Sequence, residues 1–156
     1  MLGKFENFPI FVHKTKTFKI DAPLISVQKK IIKSLYNLNG RELPSSRTFN
    51  GIGGGFSIIF EIGVADGANF NYLDETELKR YLNYLKNESF KVLDFFLVNR
   101  YYTTDDEKRR KPLKFDYQMM RLEFSNDKLT IKIYHERGPR RIQLEELIDF
   151  FASQFL

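Results

Sequence analysis

The sequence predicts an α+β fold: a five-stranded, largely antiparallel sheet in the order β-α-β-α-β-β-β-α, with helices mainly on one face and the other face partly open. Three observations predict it. In three stretches apolar residues recur at spacings of three and four, as on one face of a helix. In others they alternate with period two, as on a half-buried strand. Two of the alternating runs flank Ser125-Asn126-Asp127-Lys128, a tight-turn sequence that makes neighbours antiparallel. Five strands span about 24 Å and two helices side by side about 20 Å, so three helices exceed one face and cannot cover two.

The elements follow in order. Residues 10–20 are β-prone, and Lys16, Phe18 and Ile20 alternate with Thr17 and Lys19. Asp21 is placed to cap a helix, with Pro23 in its first turn. Leu24, Val27, Ile31, Leu35 and Leu38 then form one stripe, which Asn39-Gly40 ends. Residues 41–55 read as a loop closing on Gly51-Ile52-Gly53-Gly54-Gly55. Phe56 to Val64 alternates as a strand, and Asp74 and Glu77 have capping-box spacing before a helix with Leu78, Tyr81, Leu82 and Leu85 inward. Phe90 to Tyr102 reads as a central strand, apolar on both faces, with its register open; residues 103–112 read as a charged loop. In the hairpin 115–135, a short turn pairs Phe124 with Leu129, Leu122 with Ile131 and Met120 with Ile133. All six are apolar, and a one-residue slip would drive them into water, so this register is firmly specified. Leu144, Leu147, Ile148, Phe151 and Phe155 stripe a last helix. No repeat or Gly/Ser/Pro-rich linker divides residues 1–156, which read as one domain.

Composition bounds the function. A hydrophobic share of 42% excludes intrinsic disorder, and a charged share of 29% excludes an integral membrane protein. The longest apolar stretch, Val92 to Val98, is interrupted by Asp94 and falls far short of the roughly 20 residues of a membrane span. With no cysteine and no signal-peptide pattern at the N-terminus, the expectation is a protein that stays in the cytoplasm. The formal net charge is +5, and residues 108–141 hold 11 basic against 4 acidic side chains, which points to a polyanionic partner.

The hairpin register also fixes what faces away from the core: Tyr117, Met119, Arg121 and Glu123 on one strand, Thr130, Lys132 and Tyr134 on the other. Arg121 stands opposite Lys132, and like charges in that position repel unless an anion lies between them. Tyrosines beside cations suit unstacked bases, with rings stacking and cations holding phosphate. Arg137, Arg140 and Arg141 flank the Gly138-Pro139 turn, and arginine forks suit phosphate. The expectation is a non-catalytic domain binding single-stranded nucleic acid, DNA or RNA, with little sequence preference. Its site is Tyr117, Met119, Arg121, Lys132, Tyr134, Arg137, Arg140 and Arg141. The alternative is a protein-interaction module, such as a homodimer burying the same sheet face.

No catalytic residue, metal or cofactor is expected. The glycine run 51–55 precedes a strand, whereas phosphate loops follow one and open a helix. His13 and His135 lack metal-ligand spacing. Glu61 and Asp94 could meet on adjacent strands as a Mg²⁺-nuclease pair, but no lysine-bearing motif accompanies them. Lys108-Arg109-Arg110-Lys111 reads either as a solvated loop or as a ligand contact.

Overall fold

The computed structural model describes residues 1–44, 49 and 56–156. The glycine run 51–55 lies outside the described residues. The elements are β1 (Lys14–Lys19), α1 (Leu24–Leu38), β2 (Glu42–Pro44), β3 (Phe56–Asp66), β4 (Asn69–Tyr72), α2 (Glu75–Tyr84), β5 (Val92–Thr104), β6 (Arg110–Pro112), β7 (Asp116–Ser125), β8 (Lys128–Arg137) and α3 (Leu144–Phe155). The α+β class and the antiparallel sheet are as predicted. Among the described residues the sheet has eight strands rather than five, in the spatial order β1-β8-β7-β5-β3-β2, with β4 paired to β3 and β6 to β5. The added strands, β2, β4 and β6, are three or four residues long, too short for an alternation to declare itself.

The β7–β8 register agrees with the expectation: Phe124 faces Leu129, Leu122 faces Ile131, Met120 faces Ile133, and Arg121 faces Lys132. The open register of β5 is resolved by Leu93↔Leu122 and Phe95↔Met120. Leu93, Phe95 and Leu97 therefore join the apolar side, while Asp94, Phe96, Val98, Arg100 and Tyr102 lie on the other. Ile58, Phe60, Ile62 and Val64 of β3 continue the apolar side, and α1 and α3 bury their stripes on it. From α2 only Tyr81 is fully buried, stacked on Phe90 with its hydroxyl donating to the Ala65 carbonyl at 2.5 Å. The Asp74 side chain caps α2 by accepting from the Glu77 N–H, as the spacing predicts. Asp21 does not cap α1. The N-cap is Pro23, and Asp21 instead pairs with Lys19.

The face without helices is partly covered by a segment that carries no periodic signal. Residues 2–6 run alongside the far half of β3, where β3 has parted from β5. Gly3 donates to the Ala65 carbonyl and accepts from the Asp94 N–H, at 2.8 and 2.7 Å. Phe5 stacks on Phe70 of β4, and buried Phe8 lies under the Arg121 guanidinium at 4.3 Å. The end strands of the main path discourage pairing with another chain: β1 carries Lys14, Lys16 and Lys19, and β2 ends in Pro44.

Candidate functional site

Tyr117, Met119, Arg121, Lys132 and Tyr134 all lie on the helix-free face, half-buried, as the register requires. Two of the cations are already matched. The Arg121 guanidinium forks onto the Asp94 carboxylate through two bonds of 2.8 Å, and Asp94, fully buried, also accepts the Phe5 N–H at 2.8 Å. Lys132 pairs with Glu123 at 2.5 Å. The Arg121–Lys132 repulsion is thus relieved inside the protein, with no anion needed between them. Glu61 and Asp94 do not form a carboxylate pair. Glu61 lies opposite Val98 and is bound by Arg100 and Tyr72, whereas Asp94 lies opposite Arg121. Burial and the Glu61 carboxylate push the Tyr72 hydroxyl up to about 12. The basic run is largely matched as well: Arg109 with Asp105 and Glu107, Arg110 with Glu42, Lys111 with Asp105.

The remaining predicted cations, Arg137, Arg140 and Arg141, lie at one end of the sheet, where β5 and β8 finish and β1 and β7 begin. A bulge between Tyr117 and Gln118 makes Glu136 the extra residue of β8, which brings Arg137 opposite Tyr117. The Arg137 guanidinium lies over the Tyr117 ring at 4.1 Å. On the same face the His13 ring packs on Tyr134 at 5.0 Å, and His13 Nδ1 accepts the His135 N–H at 2.9 Å. Arg140 shares with His13 a cleft of about 340 Å³ at the start of α3, also lined by Lys14, Gln143, Leu144 and Glu145. Arg141 donates to the Lys114 carbonyl at 3.3 Å. Among the described residues no carboxylate pairs with the guanidinium group of Arg137, Arg140 or Arg141, although the backbone of the last two is bound by one.

A buried carboxylate holds this turn in shape. Asp116, 1% exposed, accepts the Arg140 and Arg141 N–H groups at 2.7 and 2.9 Å, the Tyr101 hydroxyl at 2.6 Å, and lies 3.1 Å from His135 Nε2. Successive amides converging on one carboxylate require a left-handed residue, and Arg140 supplies it with φ of +54°. Gly138 is also obligatory. Its φ is +116°, and a Cβ there would collide with the Asp116 carboxylate and the Phe115 carbonyl. Burial and the Asp116 bond together raise the Tyr101 hydroxyl far above the usual tyrosine range. The His13 imidazole is held below the ordinary histidine value. The causes are partial desolvation, then the Arg140 charge, then His135. Sequence reasoning placed the three arginines but missed Asp116 and His13. For Asp116 a signal existed: it shares the inward parity of Gln118, Met120 and Leu122.

The arrangement presents guanidinium groups, one of them over the Tyr117 ring, and the tilted His13–Tyr134 pair along one end of a sheet, on a backbone clamped from within. It can receive a ligand with negative charge and planar rings. No family model matches the chain, nor does any curated protein or solved structure.

Proposed function

We propose that this end of the sheet binds single-stranded nucleic acid with little sequence preference, phosphates lying on Arg137, Arg140 and Arg141 and bases against Tyr117 and Tyr134. One observation carries the reading. On the sheet Arg100, Arg121 and Lys132 each have a carboxylate partner, whereas the guanidinium groups of these three arginines have none; Arg137 lies over Tyr117, Arg141 near Tyr101, and Arg140 lines the His13 cleft. A cation left unmatched where its neighbours are matched is available to an external anion. A single strand fits better than a duplex, because its unstacked bases can reach the aromatic, imidazole and guanidinium planes at this end. Arg121 and Lys132 then serve the sheet rather than the ligand, and Met119 lies between the tyrosines as apolar floor.

Paired substitutions test this by fluorescence anisotropy with a labelled oligonucleotide. Tyr134→Ala removes a stacking surface, so affinity is expected to fall by about 1–3 kcal/mol with the salt dependence unchanged. Arg140→Gln with Arg141→Gln removes phosphate contacts while leaving the Asp116-bound backbone. The slope of log K against log salt is then expected to shrink by roughly 0.7 per lost contact. Equal slopes for wild type and the double glutamine variant would refute the assignment of phosphate to these arginines.

The reading also has a pH signature. Partial desolvation and the Arg140 charge hold the His13 imidazole below its ordinary value, which favours the neutral ring. A phosphate at Arg140 offsets the charge that depresses it and favours the protonated ring. Binding should therefore tighten as pH falls from 7 through the His13 titration, and His13→Gln should abolish that increment. The comparison is an anisotropy titration of both proteins at pH 7.5 and 5.5.

A second reading draws on the helix-free face farther along. Gly63, Phe70, Tyr72, Phe96 and Val98, with Glu61 and Ile62, line a shallow groove of about 290 Å³ that a protein partner or a second copy could cover. Sedimentation velocity separates the two: a dimer that dissociates only on dilution, with no oligonucleotide bound, supports this second reading.

A further inference from the structure

The chain between Phe8 and His13 displays two neighbouring apolar side chains to solvent: Ile10 is 95% exposed and Phe11 86%. This is not a frayed end. Phe8 is buried beneath Arg121, and His13 is held on both sides, its N–H donating to the Ile133 carbonyl at 2.8 Å and its Nδ1 accepting from His135. The four residues between form a bridge pinned at both ends, so Phe11 cannot retreat into the core. This pinned segment carries a bare aromatic ring two residues before His13; Arg140 lines the His13 cleft, and Tyr134 packs against the His13 ring.

Charge complementarity selects the occupant. An acceptor for this ring must offer a flat apolar face and carry negative charge toward Arg140. A base with its phosphate does both, while an apolar peptide leaves the arginine unmatched. Building on the function proposed above, we infer that Phe11 is a further base-stacking residue, extending the row of Tyr117, Tyr134 and His13 by one nucleotide. The backbone pinning makes the stack inexpensive in entropy, because the ring's carrier segment is ordered before the ligand arrives.

The chain contains no tryptophan, so Phe11→Trp installs a single indole reporter. Two readings are taken in one titration with fluorescein-labelled oligothymidylate: anisotropy of the label and emission of the indole. Saturation is expected to quench and shift the indole emission. Phe11→Ala and Phe11→Leu should both weaken binding, by about 5- to 150-fold, because leucine keeps the apolar volume but loses the stacking face. If wild-type anisotropy does not change, the nucleic-acid reading itself fails. If anisotropy reports binding while the indole emission stays unmoved, or Phe11→Leu binds like wild type, only the Phe11 assignment is overturned.

Discussion

Asp116→Ala is expected to cost about 3–5 kcal/mol of stability, among the largest losses a single substitution can cause in this chain. The carboxylate satisfies the Tyr101 hydroxyl and two backbone amides in a site that is 1% exposed, with His135 alongside. Each buried donor left without an acceptor costs about 1–3 kcal/mol, and water enters such a site with difficulty. Asp116→Asn keeps one acceptor oxygen and should fall between the two. Urea unfolding monitored by circular dichroism gives the comparison. The variant should also lose its ligand affinity while still folded, because the Arg140–Arg141 turn loses the group its amides converge on. A loss under about 1 kcal/mol would mean that the turn is held by Gly138-Pro139 alone.

The second large effect is expected at Asp94. Asp94→Ala strands the Arg121 guanidinium, whose side chain is only 18% exposed, and removes the acceptor of the Phe5 N–H. Breaking a buried pair from one side typically costs about 3–5 kcal/mol, much of it the penalty of the orphaned charge. Asp94→Leu with Arg121→Met removes both charges together and should recover most of that loss. Arg121→Met alone should likewise destabilise, because it leaves the Asp94 carboxylate buried without its cation. If Arg121→Met instead left stability unchanged and weakened oligonucleotide binding, Arg121 would belong to the ligand site and not to the sheet. A double-mutant cycle in urea resolves these outcomes.

These two carboxylates mark the limit of what the sequence discloses. The β7–β8 hairpin was legible because residues 118–124 and 129–135 alternate and the apolar side can face only one way. The amphipathic stripes of α1 and α3 were legible for the same reason, at helical period. The short strands β2, β4 and β6 carry too few residues to show any period. Residues 1–9 have none, so their path over the sheet follows from long-range pairing alone. The partner of Asp94 was hidden by the unknown register of β5. Once Leu93 is set against Leu122, Asp94 necessarily meets Arg121. An aspartate inside the most apolar stretch of the chain nonetheless demands a cation. The Arg137–Tyr117 contact was beyond reach, because it depends on a bulge that moves one residue of β8 out of alternation.

We propose that the arginines at one end of the sheet receive the phosphates of a single strand. The most direct test is the equilibrium affinity of the wild-type protein for a labelled oligothymidylate, measured by anisotropy across a range of salt from about 50 mM upward. Three phosphate contacts, at Arg137, Arg140 and Arg141, predict log K falling linearly with log salt with a slope of roughly −2. No anisotropy change at about 50 mM salt, or binding indifferent to salt, would contradict it.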